Sequence, residues 1–279
     1  MNQSELNAAE ILINLALAED VAGGDITTDN LIPAETRKKG KMVAKANGVI
    51  AGLEVAEMVF RKLDHQLVWN VIIPDGSKVN AGDVIVEFEG SYRALLTGER
   101  TALNFLQRMS GIATLANKYA EAVNGFGTEI LDTRKTLPGF RLLDKYAVKT
   151  GGASNHRIGL YDMVMIKDNH IEVAGGITQA VNAIKPKISP NIKIEVETTN
   201  LEQVKEALEA GADIIMLDNM DNETMAKAVK LIDGRAKVEA SGNMTMERLR
   251  EVAATGVDYI SIGALTHSVV ALDISQRLA

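Results

Sequence analysis

The 279-residue chain contains no cysteine. Disulfides, thiolate metal sites and a cysteine nucleophile are therefore excluded, and the composition suits a reducing compartment. Aromatic residues make up only 4% of the chain, with a single tryptophan, and the formal net charge is -7. A nucleic-acid surface would need a basic stripe or a stacking platform, so that class of partner is not expected. No apolar run approaches the ~20 residues that cross a bilayer. The opening stretch "MNQSELNAAEILINLALAED" is amphipathic and acidic, with neither a basic leader nor a small-residue cleavage site, so no secretory signal is expected there. A cytoplasmic enzyme without a membrane segment is the expectation, and a non-catalytic binding module is the alternative from another class.

What is present falls into two grammars. From Lys39 to Glu89 the chain reads as short strands, "KMVAKANGVIAG", "HQLVWNVIIPDG" and "DVIVEFEG", punctuated by Asn-Gly, Asp-Gly and Ala-Gly turns. "PDGSKVNAGDVIVEF" also looks like the hammerhead turn of a lipoyl or biotinyl carrier, with Lys78 the only candidate for modification. It lacks the usual flanking pattern, and a small scaffold domain is the better account. A helix is predicted from Thr97 to Val123. Arg100, Asn104, Gln107 and Gly111 share one face of it, and Leu103, Leu106 and Met109 lie on a neighbouring, core-facing side. A polar stripe of this kind is either solvated or part of an interface.

After residue 128 strand-like and helix-like segments alternate. Six strands are read at 129–132, 162–166, 192–196, 213–217, 237–240 and 258–262. Helical stretches such as "LEQVKEALEAGA" and "TMERLREVAATGV" lie between them, each closing on a glycine. Repeated β-then-α units imply a parallel sheet covered by helices, in a (β/α) barrel or an open doubly wound sheet. No Gly-x-Gly-x-x-Gly follows the first strand, which weakens the second option.

The residues that follow these strands are Thr133-Arg134-Lys135, Lys167-Asp168-Asn169-His170, Glu197, Asp218-Asn219, Ser241-Gly242-Asn243 and Gly263-Ala264. In a parallel barrel the site lies at the carboxyl ends of the strands, so a shared polar site is expected. From Asp132 to His170 seven Lys/Arg face four Asp, an excess of three, which leaves -10 for the rest of the chain. A cationic pocket in an acidic protein implies a polyanionic small ligand. Arg134 offers a planar fork for carboxylate or phosphate, and Lys135 and Lys167 offer point charges. The loops at Ser241-Gly242-Asn243 and Gly263-Ala264 can present backbone amides to phosphate. Glu197 and Asp218 suit ribose hydroxyls or a hard divalent cation such as Mg²⁺. Lys167 could instead form a Schiff base, although anionic neighbours would oppose the depressed pKa this needs. His156 and Arg157 precede a strand, so the rim rule does not place them. For His267, helix capping and ligand contact are equally open.

Together, "ERTALNFLQRMSGIAT", "DTRKTLPGFR", "KYAVKTGGASNHRIGLYDMVMIKDNH", "IEVET", "IMLDN", "EASGN" and "IGALTHS" resemble the quinolinate phosphoribosyltransferases, and "LAEDVAGGDITTDNLIP" is similar to that family's opening segment. The likeness runs from end to end. A paralogous family associated with molybdenum transport is the nearest competitor. The resemblance implies an N-terminal α/β sandwich over 1–112, rejoined by 273–279, and an incomplete seven-stranded β/α barrel over 113–272. The strand not read from the pattern would then lie near Gly152–Arg157 and carry His156 and Arg157 to the rim. It further implies transfer of phosphoribose from phosphoribosyl pyrophosphate (PRPP) to quinolinate with loss of CO₂, Mg²⁺ accompanying PRPP, and no organic cofactor. By motif, Thr133, Arg134, His156, Arg157 and Lys167 would hold quinolinate, joined by Arg100 of a neighbouring subunit in a homodimer. Lys135, Glu197, Asp218, Ser241, Gly242, Asn243, Gly263, Ala264 and His267 would surround PRPP. Lys135, Lys167, Glu197 and Asp218 would act in catalysis.

Overall fold

The structure, a computed structural model, describes residues 1–279. It resolves into two compact units, one of Met1–Asn117, Thr136–Gly152 and Ala264–Ala279, the other of Lys118–Lys135 and Ala153–Gly263. The strands are β1 (Arg37–Ala44), β2 (Gly48–Val49), β3 (Val68–Val71), β4 (Lys78–Val79), β5 (Val84–Ser91), β6 (Glu129–Leu131), β7 (Val164–Ile166), β8 (Ile194–Thr198), β9 (Ile214–Asp218), β10 (Lys237–Ser241), β11 (Tyr259–Ser261) and β12 (Ile274–Leu278).

The first unit is built on an antiparallel sheet ordered β12-β1-β5-β3, so the last residues of the chain pair with its first strand. Helix Leu53–Leu63 falls inside the region that reads as strands and turns, and corrects that reading. Its Val and Leu content mimics a strand, but Leu53, Ala56 and Phe60 recur at helical spacing and are buried. Gly52 turns the chain at φ 102°, and the Asp75 carboxylate accepts the N–H groups of Gly52 and Leu53 that open the helix. Phe60 then packs with Trp69 and Phe88, tilted against the first and stacked on the second with ring centroids 5.9 Å away, and Trp69 stacks on Phe88 at 5.7 Å. Lys78 stands in a paired strand, β4 against β2, and not at a hairpin tip.

The long helix spans Tyr92–Ala122, and Leu103, Leu106 and Met109 are buried as expected. Its polar stripe divides in two. Gln107 donates to the Ile274 carbonyl and accepts from the Leu272 N–H through its own carbonyl. A side chain at Gly111 would overlap the Val270 carbonyl oxygen. The lower half of the stripe therefore seats residues 270–274, and only Arg100 and Asn104 are exposed.

The second unit holds a parallel sheet ordered β6-β11-β10-β9-β8-β7. Ser154 adds a parallel bridge to Leu131: its N–H donates to the Ile130 carbonyl, and its own carbonyl accepts from Asp132. A seventh strand thus exists as a single bridge on the outer side of β6, and the cylinder stays open between it and β7. Ile130, Ile166, Val196, Ile215, Leu217, Val238, Ala240 and Ile260 form one face and are all at most 3% exposed. Covering that face on helices is what fixes register, because a one-residue slip would invert every side chain. Between Thr245 and Val257 only Leu249–Ala253 is helical, since residues 245–248 close a turn first.

Candidate active site

Strand alternation assigns the polar residues to a single face. Met165, Glu195, Met216 and Glu239 share that face by cross-strand register. Two residues further along each strand come Lys167, Glu197, Asp218 and Ser241, so these four must project to the same side, one layer nearer the carboxyl rim. Thr133 bears the same relation to Leu131 on β6, and Gly263 to Ser261 on β11. Glu197, Asp218 and Ser241 lie within the last two residues of their strands, which run slightly further than their apolar cores. His156 and Arg157 follow the Ser154 bridge, and so stand at the carboxyl end of a strand after all.

At this rim Lys167 Nζ lies 3.2 Å from Glu197 Oε2. The Lys167 N–H donates to His170 Nδ1, fixing the start of helix Asp168–Ala174. Asp218 accepts from the Asn219 side chain at 2.7 Å, and Asn243 donates to Asn219 Oδ1 at 3.0 Å. Gly242 sits at φ 86° where a side chain would strike Asn219, so this loop admits only glycine. Asn219 and Asn243 also adopt positive φ, which brings the loops after β9 and β10 together.

Arg157 is half-buried and donates to the Met163 carbonyl at 3.1 Å. Its pKa lies below the ordinary value, first because of burial and then because of the Arg134 charge. Two guanidinium groups close enough to repel each other make a natural seat for an anion. Lys135 is exposed, and its N–H donates to Thr133 Oγ1. Glu197 and Asp218 are diagonal neighbours on adjacent strands, a pair of carboxylates that fits a hard divalent cation held mainly by phosphate oxygens.

Beneath the rim lies a cluster that the sequence pattern does not flag. His156 Nε2 is 2.9 Å from Glu195 and 3.4 Å from Glu239, and both carboxylates are fully buried. Burial alone would lower the pKa of His156, but its contact with Glu195 and the adjacent Glu239 carboxylate push it up to about 10. A histidine pKa raised by folding adds stability that is complete below about 6.5 and is lost as pH rises through about 10. Thermal unfolding midpoints should therefore fall between those values more steeply in the natural protein than in a His156→Asn variant. Equal slopes would show that His156 is not held protonated.

The remaining residues of the expected site belong to the other compact unit. Arg100 is exposed on the long helix, Ala264 opens the short helix Ala264–His267, and His267 Nδ1 lies 2.7 Å from Ser268 Oγ.

Models of the quinolinate phosphoribosyl transferase N-terminal and C-terminal domains match residues 25–110 and 112–277. The chain belongs to the quinolinate phosphoribosyl transferase family. It is 47% identical over 265 residues to a probable carboxylating nicotinate-nucleotide pyrophosphorylase of Synechocystis, a match covering 94% of this chain and 90% of that one. The Bacillus subtilis protein of the same name is 44% identical, over 95% and 91% of the two chains. The crystal structure of NadC from Streptococcus pyogenes superposes with a TM-score of 0.94 at 41% identity, over 97% and 96% of the chains. Membership in this family supports the incomplete barrel, and no helix is long and apolar enough to cross a membrane.

Proposed function

We propose that this protein transfers the phosphoribosyl group of PRPP to the ring nitrogen of quinolinate, yielding nicotinate mononucleotide, pyrophosphate and CO₂ for NAD synthesis. The relatives that match over nine-tenths of the chain bear the name of the carboxylating pyrophosphorylase. Nothing favours the molybdenum-transport paralogue. The observation that carries the reading is the single inward face on which the polar residues meet. There the Arg134 charge acts on Arg157, and Lys167, Glu197, Asp218 and Ser241 project from the same face of the sheet.

In this reading Arg134, His156, Arg157 and Lys167, with Thr133, bind the two carboxylates of quinolinate. Lys135 faces the pyrophosphate that leaves PRPP, Glu197 and Asp218 take the ribose hydroxyls, and the loops at Ser241–Asn243 and Gly263 take the 5′-phosphate. Ala264 and His267, next along the chain, extend that phosphate segment. Mg²⁺ bound with PRPP would neutralise the departing pyrophosphate, and Glu197 and Asp218 are the side chains that would hold it. The chain's own contribution is orientation and fixed charge. It holds two anions in reacting geometry and stabilises charge as it develops on the leaving group. Once the ring nitrogen bears ribose it is a pyridinium, and it accepts the electron pair left at C2 as CO₂ departs. No covalent nucleophile is required.

Arg100 is exposed beside a groove lined by Leu12, Leu15, Phe105 and Phe140, and Ile11 and Leu15 are 69% and 64% exposed. A second copy of the chain covering this surface would receive Arg100, in keeping with a homodimer. Incubation with quinolinate and PRPP should form nicotinate mononucleotide, and nicotinic acid in place of quinolinate should form none. Turnover of nicotinic acid would assign the protein to a different phosphoribosyltransferase.

A further inference from the structure

Barrel interiors are ordinarily filled with branched apolar side chains. Here the layer one step below the rim contains two glutamates, Glu195 on β8 and Glu239 on β10, each with no exposed surface. Their positions lie two residues before Glu197 and Ser241, hence on the same inward face and roughly 7 Å deeper. Glu195 Oε1 and both carboxylate oxygens of Glu239 accept no hydrogen bond, so Glu239 meets His156 as a neighbouring charge and Glu195 alone is hydrogen-bonded to it. What the two carboxylates share is one nitrogen, His156 Nε2, at 2.9 and 3.4 Å.

Burying two carboxylates is costly, and a buried ion cluster is rarely the most stable filling for a core. A purely structural site would do better with aliphatic residues. The arrangement instead determines the state of the imidazole. With Nε2 held by carboxylates, whatever His156 offers a ligand it offers through Nδ1, because the hydrogen bond at one ring nitrogen sets the role of the other. Burial and the neighbouring Glu239 charge raise the Glu195 pKa to about 7, while the His156 contact and the Arg157 charge act to lower it. The histidine and carboxylate atoms lie within 4.8 Å of one another, and His156 Nε2 is in direct hydrogen bond with Glu195 Oε2.

We propose that Glu195 and Glu239 are positioning residues for the reaction: acting through His156, they hold its ring by Nε2 as an imidazolium that presents Nδ1–H to a carboxylate of quinolinate. This rests on the reading that His156 belongs to the quinolinate pocket. The arginines recognise a dianion at the rim, and the imidazolium adds a donor rising from the barrel floor, where a free histidine would be largely neutral at physiological pH. The pair is shape-neutral to test, since glutamine preserves volume and removes only charge.

The test compares the natural protein with Glu195→Gln, Glu239→Gln, the double variant, His156→Asn, and the double variant combined with His156→Asn. With both carboxylates replaced, the KM for quinolinate should rise on the order of tenfold or more while that for PRPP stays within about twofold, as expected for loss of a charge-assisted contact to one substrate. In the His156→Asn background the same replacements should have no further effect on that KM, which is the non-additivity of residues acting through one group. The chain has four histidines, so imidazole NMR signals can be assigned by comparison with His156→Asn. At pH 8 the His156 ring should be charged in the natural protein and neutral in the double glutamine variant. An unchanged quinolinate KM in active double variants, or an equal rise in both KM values, would overturn the proposal and leave a packing role. Glu195→Asp and Glu239→Asp retain the charge and should keep the ring protonated; a neutral ring there would also count against it. Failure of the natural protein to use quinolinate at all would instead overturn the functional reading, an outcome separated from the first by the wild-type assay alone.

Discussion

Replacing Arg157 with alanine should reduce kcat/KM for quinolinate by about 10²- to 10³-fold, the range for removing one partner of a desolvated, hydrogen-bonded charge pair. The loss should greatly exceed any loss of stability. The internal hydrogen bonds given up are the donations to the Met163 carbonyl and to Met165 Sδ, contacts worth about 1 kcal/mol or less each. Arg157→Lys should recover part of the loss, because it restores a charge but not the planar fork that matches a carboxylate. Steady-state kinetics beside thermal unfolding decides the matter. Normal turnover with quinolinate in Arg157→Ala would remove the residue from the site. A collapse of folding equal to the collapse of activity would make it structural.

The second large effect is expected at Lys135. Its side chain is exposed, so substitution should alter stability by no more than about 0.5 kcal/mol. Its assigned task is to stabilise negative charge on departing pyrophosphate, and removing one such group costs about 10²- to 10³-fold in kcat. Because that charge develops on the way to the transition state, the loss in Lys135→Ala should appear mainly in kcat, with the quinolinate KM little changed. A variant impaired only in KM for PRPP would show that Lys135 binds the ground state and does nothing more.

How far the site could be read in advance depends on the local signal each element carries. Strands β6 to β11 announce themselves by runs of Val, Ile and Leu bounded by polar residues, and their inward parity follows from the pleat, so Lys167, Glu197, Asp218 and Ser241 were legible as one group. The strand at Ser154 was not. A single bridge embedded in "GGASNHR" has no apolar alternation, and only the likeness to a family pointed to it. Glu195 and Glu239 were hidden for the opposite reason. They sit inside strong strand patterns, where a lone glutamate reads as a solvent-facing position. The available clue was parity: each stands two residues before a rim residue, and therefore faces inward. Helix Leu53–Leu63 was obscured because β-branched and aliphatic residues dominate it and its N-terminal cap comes from Asp75, more than twenty residues away. The role of Gln107 and Gly111 depended on a C-terminal segment 160 residues or so further on, which no local pattern encodes.

The central claim is that one inward-facing cup holds quinolinate and PRPP together, so that decarboxylation depends on prior formation of the bond to ribose. It is tested most directly with quinolinate labelled in the C2 carboxyl group. Label should appear as CO₂ only when PRPP is present, in equal amount to the pyrophosphate released. Label released without PRPP, or pyrophosphate released from PRPP in the presence of quinolinate with no CO₂, would contradict it.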